Sequence, residues 1–78
     1  MNNFEIYNSV FTEALGITED QLEGLEYLAV AGWDSLGHMN LIAKLEEAFD
    51  IMMDTDDIID FSSYEKGKEI LAKYDIEI

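Results

Sequence analysis

Seventy-eight residues, 49% of them hydrophobic and none of them proline, are enough for one small domain with a single core but too few for a deep catalytic cleft. Eighteen acidic residues against four lysines and no arginine leave a net charge of −14, which argues against nucleic acid and anionic membranes as partners and for proteins with basic surfaces. The absence of cysteine excludes disulfides, thiolate metal sites and a cysteine nucleophile, so any thiol used here must arrive on a cofactor.

No apolar run approaches the roughly 20 residues of a membrane span. The start, Met1-Asn2-Asn3-Phe4-Glu5, lacks the basic region of a signal peptide, so a soluble, cytoplasmic protein is expected. Asn3 is placed as the N-cap of a first helix over about residues 4 to 15, with Phe4, Tyr7, Phe11, Ala14 and Leu15 as its stripe and Gly16 as the residue that ends it. Thr18 with Gln21 forms a capping-box pattern, and Leu22, Leu25 and Leu28 recur at i+3, which predicts a short helical turn. Gly24 and the Val30-Ala31-Gly32 run break that pattern, so the segment to Asp34 is a long loop, either functional or pinned by its own apolar residues.

The second helix starts at Asp34 or Ser35 and ends near Phe49-Asp50. With Leu41 at zero, Leu45, Phe49 and Ile42 fall at about 40°, 80° and 100°, one inward stripe, with His38 on its edge at about 60°. Leu36, Met39 and Ala43 fall at about 220°, 160° and 200°, on the far side. One helix in a small domain buries one stripe, so the second cluster reads as a docking patch. Ile51-Met52-Met53 is an extended connector, and Asp54 or Thr55 caps a brief third helix through Ile58, Ile59 and Phe61. Ser62 with Glu65 forms another capping box, and Gly67, Ile70, Leu71 and Tyr74 line a fourth helix in which Gly67 permits close approach. The expected fold is all-α, a four-helix bundle with a long first loop and a short third helix, in a single domain over residues 1–78.

Ser35 alone is explained as a helix cap. Asp34-Ser35-Leu36 opening an amphipathic helix, followed by Leu41-Ile42, Leu45-Glu46-Glu47 and Phe49-Asp50-Ile51 in a short acidic chain, resembles the acyl and peptidyl carrier proteins. That resemblance implies a carrier bundle whose Ser35 is joined by a phosphodiester to 4′-phosphopantetheine from coenzyme A, with Asp34 in the motif read by a phosphopantetheinyl transferase. It further implies that Leu36, Met39 and Ala43 meet partner enzymes, with Glu46, Glu47, Asp54, Asp56 and Asp57 as an acidic rim. The cargo would be an acyl group of fatty-acid or polyketide type held as a thioester, or alternatively an aminoacyl or peptidyl group, on a monomeric carrier served by loading and processing enzymes. Gly37 and Asn40 depart from the acidic residues that many fatty-acid-type carriers place early in this helix, which points to a dedicated pathway.

A chemistry of the chain's own is not expected. The nucleophile elbow needs glycine two residues before the serine, where Trp33 stands, and Ser35 and His38 lack an orienting acid and an oxyanion hole. Asp54, Asp56, Asp57 and Asp60 lack the central glycine and terminal glutamate of a calcium loop, so no dedicated metal site is expected. Trp33 either packs onto the first helical turn and His38 or flanks the root of the arm. A non-covalent acidic helical adaptor, with Ser35 a mere cap, is the remaining alternative.

Overall fold

The computed structural model describes residues 2–78, so Met1, with which the expected domain begins, lies outside the described residues. Four helices follow in order, α1 Asn3–Leu15, α2 Ser35–Phe49, α3 Thr55–Asp60 and α4 Tyr64–Ala72, with a 3₁₀ turn at Glu19–Gln21. The all-α bundle with a long first loop and a short third helix is thus observed. Among the described residues no helix is long and apolar enough to cross a membrane.

Helix α1 begins one residue earlier than expected. Asn2, not Asn3, is the cap: its side chain accepts from the Glu5 N–H at 2.8 Å, and Glu5 answers by accepting from the Asn2 N–H at 3.3 Å. Both asparagines suit a cap, but only Asn2 has a glutamate three residues on. The helix closes at Gly16, whose φ of +67° is left-handed and whose N–H reaches the Thr12 carbonyl at 3.0 Å.

Phe11 is the hub of the core. Its ring lies 4.9 Å from Tyr7, 5.3 Å from Tyr64, 5.6 Å from Trp33 and 6.0 Å from Phe61, so α1, the loop, the residue that ends α3 and α4 meet on one side chain. Leu41, Ile42 and Leu45 close the core from α2, with Phe49 half-buried beside them. The Tyr7 hydroxyl donates to the Tyr64 carbonyl at 2.7 Å and the Tyr64 hydroxyl to the buried Asn8 side chain, so the aromatic core carries its polar atoms satisfied. Burial holds the Tyr7 hydroxyl in its neutral form, with its pKa raised well above the ordinary phenol value.

The loop from Gly16 to Asp34 is anchored by Leu22 and Leu25 in the core. Leu28 does not join them: it is 66% exposed, because Gly24 and Leu28 both take left-handed backbone (φ +75° and +70°) and break the i+3 period. The loop instead clips to the turn between α3 and α4, where the Tyr27 N–H donates to the Ser62 carbonyl and the Tyr64 N–H to the Leu25 carbonyl, each at 2.9 Å. That clip keeps the chain extended through Ser63, which moves the cap of α4 from the expected Ser62 to Ser63, whose hydroxyl accepts from the Lys66 N–H at 2.9 Å. Met53 is buried and Met52 exposed, the alternation expected of the connector. Gly67 permits the close approach foreseen for it: a Cβ there would lie 2.2 Å from the Tyr7 hydroxyl and 2.3 Å from the Phe61 ring.

Candidate functional site

Backbone contact sets the start of α2. A Cβ on Gly32 would lie 2.3 Å from the Leu15 carbonyl oxygen, and one on Gly37 would lie 1.8 Å from the Gly32 carbonyl oxygen. The end of α1, the loop and the first turn of α2 therefore stack main chain on main chain. Gly37, which looked like a missing acid in the sequence, stands where no side chain fits.

Asp34 is the cap, accepting from the Gly37 N–H at 2.8 Å, while its carbonyl accepts from the His38 N–H at 2.7 Å. Ser35 is consequently the first helical residue and is exposed, so its hydroxyl is not consumed by capping. Of the four N–H groups that a helix start leaves open, those of Ser35 and Leu36 have no acceptor among the described residues.

Trp33 is fully buried, and its indole N–H donates to His38 Nδ1 at 3.0 Å with the two rings nearly coplanar. An indole nitrogen only donates, so Nδ1 must accept and the ring proton sits on Nε2, 2.8 Å from the Ile58 carbonyl that receives it. His38 thus ties the loop, α2 and α3 together. Of the two readings of Trp33, packing onto the first turn and His38 is the one observed.

Between the start of α2 and α3 lies a cavity of about 380 Å³. Tyr27, His38, Met39, Ile58, Ile59, Phe61 and Ser62 line it together with Ser35, which is exposed. Its lining is mostly apolar, and the Tyr27 hydroxyl lies 3.3 Å from Ser35 Oγ. Leu36 and Met39 are 80% and 58% exposed, and Ala43 is exposed with them, so the loop does not cover this side of α2. From Ser35 to Ala43 the chain carries no carboxylate, a neutral island in a strongly acidic protein.

The expected acidic rim divides. Glu47, Asp54 and Asp56 are exposed. Glu46 is half-buried and spends one oxygen accepting from the Met53 N–H at 2.8 Å. Asp57 is corrected: it is 7% exposed and its carboxylate is taken up by the Lys73 ammonium and, at 2.6 Å, by the Tyr74 hydroxyl. Those bonds, that of Lys73 first, hold the Asp57 carboxyl below the usual carboxylate range, which makes it a structural partner of the residues that follow α4 and not a rim charge.

Tyr27 escaped the sequence reading. Nothing in its spacing marks it, because its place beside Ser35 depends on the clip to Ser62 and the reversal at Leu28. Ile59 is 72% exposed beside a half-buried Ile58, a split that adjacency does not reveal, since the adjacent Leu41 and Ile42 are both buried.

The donor set suits a phosphodiester on Ser35: an exposed hydroxyl, two open amides at the positive end of a 15-residue helix, and a neutral phenol beside it. Comparison with the curated proteins and with the solved structures finds no match. The family described as "phosphopantetheine attachment site" matches residues 9–66, three quarters of the chain and all of the elements that build this site. The chain belongs to that family, the carrier domains whose prosthetic group is a covalent 4′-phosphopantetheine and which interact with the enzymes that modify and process what they carry.

Proposed function

We propose that this protein is an acyl carrier, a single monomeric domain over residues 1–78 acting in the cytoplasm, with Ser35 as the attachment residue. The observation that carries the proposal is the exposed Ser35 hydroxyl at the start of α2, freed from capping by Asp34 and set at the edge of an apolar cavity. Attachment forms one P–O bond at Ser35 Oγ as the nucleotide half of coenzyme A leaves, the hydroxyl proton passing to the transferase. The group so bound supplies the thiol that this cysteine-free chain lacks, and with it a thioester for the cargo. The chain's own residues contribute binding and presentation, not bond making.

Partner enzymes dock on Leu36, Met39 and Ala43, with Glu46, Glu47, Asp54 and Asp56 as the acidic rim facing basic groups of the partner. Asp34 belongs to the motif that the transferase reads. An apolar cavity lined by Met39, Ile58 and Ile59 favours an acyl cargo over an aminoacyl one, whose ammonium would be stripped of water there.

The test is intact-mass measurement after incubation with coenzyme A and a broad-range phosphopantetheinyl transferase. The wild type gains the mass of one arm and Ser35→Ala gains none. A wild type that stays at its starting mass, or a Ser35→Ala variant that is modified, overturns the assignment. Loading of the modified protein by an acyl-activating enzyme, and not by an amino-acid-activating one, supports the acyl cargo.

A further inference from the structure

Tyr27 is held from three sides. Its N–H donates to the Ser62 carbonyl at 2.9 Å, and its ring edges onto Trp33 at 6.2 Å and onto His38 at 5.6 Å. Trp33 and His38 are themselves locked by their mutual hydrogen bond and by Ile58, so the phenol is carried by a fixed frame and not by a free loop tip. A frame of that kind places one hydroxyl, 3.3 Å from Ser35 Oγ.

We propose that Tyr27 positions the root of the prosthetic arm, donating its phenolic hydrogen to the phosphodiester on Ser35 and turning the arm into the cavity beside α3. This rests on Ser35 being the attachment residue. In the free protein either hydroxyl serves as donor. Once Ser35 Oγ is an ester it has no hydrogen to give, so the phenol must donate, and the charged non-bridging phosphate oxygens are the strongest acceptors within its reach.

The neighbourhood leaves few alternatives. The loop and the first two turns of α2 contain no lysine or arginine, and Lys44 lies nine residues along the helix, roughly 13 Å from Ser35 at 1.5 Å per residue. A phosphate added here is met by the Tyr27 hydroxyl and the open amides of the helix start, and no lysine is among the residues that line the cavity. Ser35 borders the cavity that Tyr27 walls, whereas the shallower concavity on the Leu36 side of α2 is lined by Gly32, Asp34 and Asn40 and includes neither Ser35 nor Tyr27. The hydrogen bond therefore selects between two sides of the same helix.

The experiment compares wild type and Tyr27→Phe, both taken to complete modification as checked by intact mass, with a spin label on the arm's terminal thiol. Phosphorus NMR reports the phosphodiester and the label reports how freely the arm moves. In Tyr27→Phe the phosphorus resonance shifts and the freely moving fraction of the arm rises by about fivefold, the worth of one hydrogen bond. The melting temperatures of the unmodified proteins stay alike, which a merely structural tyrosine would not allow. Normal mass gain with an unchanged resonance and unchanged label mobility overturns the role of Tyr27 alone. Failure of the wild type to gain mass, or mass gain by Ser35→Ala, overturns the attachment site and this inference with it.

Discussion

The two sides of α2 differ in what constrains them. On the inner side Leu41 and Leu45 are wholly buried, and each touches a core that reaches Phe11 and Trp33. On the outer side Leu36 and Met39 are apolar too, yet they stand in solvent. Hydrophobicity is shared, so what separates the core side from the exposed side is the presence of a neighbour, and a stability measurement sees the first side only. Leu45→Ala should cost about 2–5 kcal/mol, from lost transfer energy and the cavity left behind. Leu36→Ala should stay within about 0.5 kcal/mol, as exposed substitutions do. Urea titrations of the two variants check this, and equal losses would break the contrast between the two sides.

A smaller but more pointed effect is expected at Gly37, where the two sides meet. In an exposed helix, alanine for glycine gains about 1 kcal/mol of helix propensity. Here the added Cβ would lie 1.8 Å from the Gly32 carbonyl oxygen, and that oxygen belongs to a loop already pressed on Leu15. Backbone clash outweighs propensity, so Gly37→Ala should lower stability by about 1–3 kcal/mol. Asn40→Asp, exposed on the same turn, should leave it nearly unchanged. If Gly37→Ala instead raises the urea midpoint, the close stacking of loop on helix is wrong.

Much of this was legible from spacing, and the failures have physical causes. The inner stripe of α2 follows from a 3.6-residue period that a long helix samples four times over. Caps slipped by one residue where two acceptable side chains adjoin, at Asn2-Asn3 and Ser62-Ser63. In the first case the glutamate at i+3 distinguishes them, and in the second only a distant bond from Tyr27 does. Leu28 kept its period in the sequence and lost it in space, because a left-handed residue costs too little to forbid in an exposed loop. Gly37 read as a departure in charge when it is a requirement of packing. Tyr27 and Asp57 were illegible for one reason: their partners, Ser35 and Lys73, are set by how the loop and α4 fold back, not by neighbours in the chain.

The smallest effect concerns charge and separates Asp57 from the exposed acids around it. Its folded-state pKa lies below the ordinary value of 3.8, held there chiefly by the hydrogen bond from Lys73 and then by that from Tyr74. A carboxyl with a depressed folded pKa stabilises fully above its unfolded value and loses that contribution as pH falls through the folded one. The exposed carboxylates act differently: they repel one another in a chain of net charge −14, and dissolved ions screen that repulsion. Stability should therefore rise with added salt or Mg²⁺ at pH 7. On acidification it should fall below about pH 3.8, as the Asp57 contribution is progressively lost. Asp57→Asn removes that last limb and leaves the salt response intact, since Lys73 pairs with Asp57 while the repelling acids are elsewhere. Thermal melts across pH at two ionic strengths separate the two trends, and a low-pH limb that survives in Asp57→Asn would return Asp57 to the exposed rim.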